Sequence, residues 1–264
     1  MNPGHTARSI SGALLSATGA LWRAAVTIIA MAVLWELVVR LGDIKPYYLP
    51  RLSDIGAAVA LAPSAYIDGA LRTITETLLG FSSGAIFGVL IGLAFFQWRA
   101  LREYLFPLFV ISQTIPVIAF GAVVVLWFGN TLWAKAVIAF YMTFFPVTVN
   151  TLNGLAAVDS RQVDLLRSFG ASGWMLLTRL RLPAALPHIF VALKLGCTLS
   201  LLGAIAGEWF GDSVGIGVLL LQAMYNEQVP SLWAAIFIAG AIGTVFYGAV
   251  SWLEARIVFW RTEL

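Results

Sequence analysis

The sequence predicts an all-α integral membrane protein of about six transmembrane helices, and three observations predict it. First, 60% of its 264 residues are hydrophobic and only 11% are charged, whereas a soluble domain carries about 25% charged residues to solvate its surface. Second, the mean hydropathy is +0.90. Third, six apolar stretches, near 21–41, 73–97, 103–127, 133–153, 185–207 and 232–257, reach the ~20 residues that cross a bilayer core. The surface these stretches present must meet lipid. Sixteen Lys and Arg against thirteen Asp and Glu leave a formal charge of +3. These charges lie almost wholly between the apolar runs, so they report topology, and no nucleic-acid partner is expected.

The elements follow in order. Residues 1–20 read as an N-terminal tail. The apolar run from Ala24 to Val39 is longer than a signal-peptide core and lacks a small-x-small cleavage pattern after it, so it reads as a retained first span. A long segment, 42–72, carries Pro46, Pro50 and Pro63, and within it 52–59 could form a short amphipathic helix. The second span places Gly80, Gly84, Gly88 and Gly92 on one face. Such a ridge forfeits about 1 kcal/mol of helix propensity per glycine but lets two backbones approach closely. Gly203 and Gly207 in the fifth span, and Gly240, Thr244 and Gly248 in the sixth, repeat the spacing. Packing within one bundle is the first reading of these stripes, and a dimer interface is the sharper alternative. In the third span, Gln113-Thr114-Ile115-Pro116 predicts a kink near mid-membrane.

Charge placement orients the chain. With the N-terminus in the cytoplasm, the inner segments collect Arg8, Arg23, Arg99, Arg102, Arg161, Arg167, Arg179, Arg181, Arg256 and Arg261. The outer ones keep Lys45, Arg51, Lys135, Arg40 and Arg72, and the last outer loop, 208–231, has no Lys or Arg. That asymmetry satisfies the positive-inside rule and returns both termini to the cytoplasm.

Segment 159–183, between the fourth and fifth spans, is the one inner loop long enough to fold by itself. Asp159 can cap a helix, with Gln162 three residues on. Gln162, Val163, Leu165, Leu166, Phe169 and Gly170 fill one arc of that helix, while Arg161, Asp164, Arg167 and Ser168 fill the other. Gly170 ends it. Ser172 can cap a second short helix running to Pro183. Two such stubs are too small to bury their apolar sides alone. They lie either on the membrane interface or against another polypeptide.

Asp164-Leu165-Leu166, then Gly170, then Leu180-x-Leu182-Pro183 resembles the signature cytoplasmic loop of binding-protein-dependent ABC importer permeases, which reads Glu-Ala-Ala, three residues, Gly, nine residues, Ile-x-Leu-Pro. Here Asp164 stands for Glu, two leucines for the alanines, and Leu180 for Ile. The stretches Gln113 to Pro116, Leu126 to Gly129 and Phe145 to Thr151 are similar to the branch serving nitrate, sulfonates, taurine and thiamine- or flavin-type nutrients. Gly207-Glu208-Trp209-Phe210-Gly211 and Gly215-Ile216-Gly217 are similar to members associated with pyrimidine thiamine precursors.

The resemblance implies a transmembrane permease domain over 21–264 with a coupling helix in 159–183, in the bacterial cytoplasmic (inner) membrane. It implies two ABC ATPase subunits below, an extracytoplasmic substrate-binding protein above, and a second, identical permease chain. It assigns ATPase coupling to Arg161, Asp164, Leu165, Leu166, Arg167, Ser168, Phe169, Gly170, Ala171, Leu182 and Pro183. No cofactor is expected on this chain. ATP and Mg belong to the partner, because the sequence has no G-x-x-x-x-G-K-[ST] loop to cradle phosphates.

Charges at bilayer depth cost at least about 2.5–3.5 kcal/mol, so each asks for a reason. Lys194 either snorkels to the interface or contacts a passing anion. Glu36 and Glu76 suggest hydrogen bonds between helices or positions near the outer surface. Glu208 stands at the outer end of the fifth span, as a gate residue or as a solvated helix end. Gln113, Thr114, Pro116, Asn150 and Asn153 could line a pathway or simply pack. His188, the sole histidine besides His5, supports no metal site, and Cys197, the single cysteine, supports no disulfide. Two other functions fit less well. A self-sufficient carrier or channel would show matching helix breaks in two halves, and only the Pro116 break is evident. An intramembrane enzyme would need paired catalytic groups at one depth, and none appear.

Overall fold

Among the described residues, twelve helical segments carry the chain. The computed structural model describes the backbone of residues 4–260; within α1 it describes side chains at Trp22, Arg23 and from Ala25 onward. Arg8, Arg261 and His5 therefore lie outside the described side chains. Among the described residues every regular element is helical: α1 (Gly4–Leu41), α2 (Leu52–Leu61), α3 (Pro63–Gln97), α4 (Arg99–Ser112), α5 (Val117–Phe128), α6 (Leu132–Ala156), α7 (Ser160–Ser168), α8 (Gly173–Leu176), a π-helical turn (Leu177–Arg181), α9 (Leu182–Glu208), α10 (Ile216–Tyr225) and α11 (Val229–Ile257). Four of the described runs are long and apolar enough to cross a membrane: α3, α6, α11 and the continuous run Gly173–Glu208. The α4–α5 pair makes a fifth if it is one bent span. The first apolar stretch lies within α1.

The bundle is built around α6, which packs along α3 on one side and α9 on the other. The glycine ridge is what permits this. A Cβ placed on Gly84, Gly88 or Gly92 would lie 2.6 to 2.8 Å from Thr143, Val147 or Thr151 of α6. Gly203 similarly faces the Ala139 backbone, 2.9 Å from where its Cβ would stand. The two helices recover in dispersion what the glycines lose in propensity. These stripes therefore pack within one chain. Gly240 and Gly248 on α11, by contrast, have nothing within 4 Å.

Three expectations are corrected. The third span is not a kinked helix. It is two helices bent by 97°, because Pro116 takes extended ψ of 132° and starts α5 rather than continuing α4. The α6 residue Tyr141 donates its hydroxyl to the Ser112 carbonyl, which also accepts from the Ile115 N–H at 3.3 Å, and Phe109 packs edge-on to Phe144 with ring centroids 4.8 Å apart. Tertiary contacts thus hold the break. Next, α3 begins at Pro63, ten residues before the expected start, with proline in its first turn. Finally, no separate short helix ends at Pro183. α8 runs through the π-helical turn directly into α9. A proline ring clashes with the carbonyl four residues back, and the widened turn over Leu177–Arg181 accommodates Pro183 without ending the helix.

Glu36 joins α1 to α2. Its Oε2 accepts from the Leu52 N–H at 2.8 Å and its Oε1 from the Ser53 hydroxyl at 2.9 Å, while Arg40 pairs with it from the next turn. It caps a helix whose own N-cap, Arg51, supplies no side-chain acceptor.

Candidate functional site

The loop over 159–183 folds as its local signals dictate. Asp159 caps α7 by accepting from the Arg161 N–H at 2.9 Å, so the carboxylate takes the second amide of the helix. At the other end Gly170 has φ +82°. Its N–H bonds the Arg167 carbonyl and the Ala171 N–H bonds the Leu166 carbonyl. This reciprocal pair is a Schellman motif, which requires the left-handed residue that glycine supplies. Ser172 then accepts from the Met175 N–H at 3.3 Å and starts α8.

The apolar arc of α7 divides in two. Val163 is buried at 5% and Leu166 is half-buried, whereas Leu165 is 58% and Phe169 80% exposed. Trp174 and Met175 just beyond are also exposed. Arg161, Asp164, Arg167, Ser168 and Gly170 are exposed, and Ala171, Leu182 and Pro183 are half-buried. One half of the arc thus seats the helix on its own chain, and the other half offers apolar surface rimmed by charge. The return leg is firmly held: Leu177 and Leu182 pack on the Leu155, Ala185 and Ile189 core, and the Arg181 guanidinium lies 4.6 Å from the Phe96 ring centroid.

Among the described residues no hydrogen bond or ion pair joins any two of Gln113, Thr114, Pro116, Asn150, Lys194 and Glu208. Thr114 donates to the Ile111 carbonyl, and the Asn150 amide donates to the Pro146 carbonyl. The Gln113 amide nitrogen lacks a partner at the α4–α5 break. Lys194 neither snorkels freely nor stands as an unmet cation, since its Nζ lies 2.7 Å from Glu254 Oε2 on α11. Asn153 is exposed.

Glu208 corrects another expectation. It is not a solvated helix end but 1% exposed. The Thr73 hydroxyl and the Gly217 N–H each lie 2.5 Å from one of its carboxyl oxygens, and the Ile216 N–H donates to the Thr73 oxygen at 2.9 Å. A carboxylate thereby sits at the N-terminus of α10, where free amides and the helix dipole favour negative charge. The Gly215-Ile216-Gly217 motif gains its reason here. A Cβ on Gly217 would stand 2.7 Å from Glu208 Oε2, and one on Gly215 would enter the carboxyl group itself.

Sequence reasoning missed the neighbours of Glu208. Arg72 pairs with fully buried Glu76 at 2.8 Å, and fully buried Lys135 pairs with Asp212 at 2.8 Å. Asn130 bridges Lys135 and the Gly211 carbonyl. Burial works against ionisation of Asp212, yet the Lys135 hydrogen bond and the Ser213 N–H outweigh it and hold this loop carboxyl below its ordinary value. The available signal was the i, i+4 spacing of Arg72 and Glu76 inside an apolar helix.

This architecture is that of a helical membrane bundle with an amphipathic stub at one end and a polar clamp at the other. Residues 84–259 match the family described as binding-protein-dependent transport system inner membrane component. The chain is 32% identical over 234 residues to the formylaminopyrimidine transport permease protein ThiX of Halalkalibacterium halodurans, covering 88% of this chain and 93% of that one. It is 29% identical over 240 residues to the riboflavin transport system permease protein RibX of Chloroflexus aurantiacus, covering 90% of each. Its fold matches a chain of the inward-facing MetNI methionine ABC transporter with a TM-score of 0.63 at 16% identity, over 73% of this chain and 96% of that one. The protein belongs to the binding-protein-dependent transport family, as the permease subunit of an ABC importer.

Proposed function

We propose that α7 is the coupling helix of this permease, seated in the cytoplasm against an ATPase subunit. The carrying observation is that Leu165 and Phe169 stand 58% and 80% exposed on a helix capped at both ends. A short, fixed, half-covered apolar stub buries the rest of its surface in a partner. Arg161, Asp164, Arg167 and Ser168 form the polar rim of that contact, and Gly170 with Ala171 supplies the turn that presents it. Two identical permease chains, two ATPases and one extracytoplasmic binding protein form the working assembly in the cytoplasmic membrane, with both termini of this chain inside. Nucleotide and Mg stay on the ATPases.

In this reading the ATPases bias the bundle between two packings through their differential contact with α7. The cargo is a small polar nutrient handed over by the binding protein. A planar nitrogen heterocycle is the class we favour, because relatives named for formylaminopyrimidine and riboflavin align along most of this chain. Nitrate-, sulfonate- or taurine-type anions are the second class. Cysteines placed singly at Leu165 and Phe169 in the assembled complex should crosslink to a nucleotide-hydrolysing subunit. Capture of lipid alone at both positions would overturn the coupling role. Uptake of labelled pyrimidine and labelled taurine by the same proteoliposomes distinguishes the cargo classes.

A further inference from the structure

The polar clamp around Glu208 carries more negative charge than its cations meet. The charged groups that face it are Arg72 and Glu76 from α3, Lys135 from α6, Glu208 from α9 and Asp212 from the loop that follows. Helix α10 contributes the Ile216 and Gly217 N–H groups and no charged side chain, and Asn130 contributes a neutral amide. Asp68 lies farther out, on the rim of a surface cavity of about 540 Å³ that also borders Arg72 and Asp212.

Three carboxylates thus face two cations. Lys135 belongs to Asp212 and Arg72 to Glu76, each at 2.8 Å. Among the described residues Glu208 has no cation of its own. The Thr73 hydroxyl that holds its carboxyl at 2.5 Å stands three residues before Glu76, on the same face of α3. Hydrogen bonds give the same answer by a separate route. Of the four oxygens in this pair, Glu208 Oε1 receives the Thr73 hydroxyl, Glu208 Oε2 the Gly217 N–H, and Glu76 Oε1 the Arg72 Nε–H. Glu76 Oε2 has no donor, in a residue with 0% of its surface exposed. One charge is in excess in the cluster, and one acceptor of the Glu76–Glu208 pair is unmet. A single hydrogen on Glu76 Oε2, donated towards Glu208, removes both deficits. Leaving two ionised carboxylates side by side without water would cost several kcal/mol.

We propose that this cluster is a proton-binding site, in which one proton shared between Glu76 and Glu208 fastens α3 to α9 and, through Glu208, to the N-terminus of α10. The site does not depend on the coupling role of α7. It makes the seating of α10 sensitive to alkali, because loss of the proton leaves like charges facing each other under that helix.

Infrared spectroscopy of the full chain in lipid nanodiscs tests this. At neutral pH the wild type should show the C=O stretch of a protonated carboxylic acid, shifted in D2O and lost as the pH is raised. Glu76→Gln and Glu208→Gln should each abolish that band, because either change alone balances two carboxylates against two cations. Each single variant should also melt with less dependence on alkaline pH than the wild type, while the double variant, with a cation in excess, should melt lower than both. A wild-type spectrum without the acid band overturns the proposal, and it decides the matter even if a variant fails to insert. So does an acid band that survives both single changes, or a wild-type melting temperature that rises with sodium chloride but not choline chloride, which would place a metal cation in the site.

Discussion

The two ends of one helical run behave oppositely. From Gly173 to Glu208 the chain is helical for 36 residues, about 54 Å at 1.5 Å per residue. At the Gly173 end the neighbouring surface is apolar and open, with Phe169, Trp174 and Met175 exposed. Charges there are peripheral and the fold depends on local caps. At the Glu208 end Glu76, Lys135 and Glu208 are buried, and the ties reach across 135 and 143 residues of sequence to Thr73. In the proposed reading one end is completed by an ATPase subunit. The other is completed within the chain, and it fixes the helix that follows. A bundle that converts a push at one end into a change at the other needs this division: a loosely committed contact surface and a committed clamp on one stiff element.

The clamp gives the largest expected effects. Glu208→Ala removes the acceptor of two buried hydrogen bonds and should lower stability by about 3 kcal/mol or more, read as a fall in the melting temperature of the purified permease together with loss of uptake. If Glu208→Ala melts like the wild type, the two ends do not differ as described. Gly215→Ala drives a methyl group into the Glu208 carboxyl and should cost about 1–3 kcal/mol, again by melting temperature.

At the open end the pattern reverses. Gly170→Leu places a Cβ that meets nothing within 4 Å, so the cost at that atom is backbone strain at φ +82°, about 1–2 kcal/mol in the α7 turn. Membrane insertion should survive while ATP-driven uptake is lost. Phe169→Ala should change stability by less than about 0.5 kcal/mol, yet uncouple ATP hydrolysis from uptake in proteoliposomes. The smallest effect concerns acid. Asp212 has its folded value depressed, so its contribution is complete above the ordinary carboxylate range and fades as pH falls through the folded value. Asp212→Asn should remove that acid-side loss, measured by melting temperature against pH.

The same contrast explains what the sequence made legible. Asp159, Gly170 and Ser172 could be assigned as caps because their partners lie within four residues. The Gly80 to Gly92 ridge could be read as a close-packing face because helical period alone places it there. The 97° break at Pro116 was visible only as a kink, since whether a proline bends or divides a helix depends on partners such as Tyr141 that arrive from elsewhere. Glu208 read as a gate residue or as a helix end in water. Nothing near it in the chain announces Thr73, Glu76 or Lys135, and buried charge is legible only once the groups that neutralise it are in place. Pro183 failed as a stop signal for a related reason: the π-helical turn before it absorbs the missing hydrogen bond.

The account rests on the run from Gly173 to Glu208 acting as one rod despite that turn. Spin labels at exposed Met175 and Trp209 in the assembled importer measure its length directly by pulsed electron resonance. The distance should stay the same with and without ATP. A change approaching one helical turn, about 5.4 Å, would show that Leu177–Arg181 is a hinge, and the two ends would then be uncoupled.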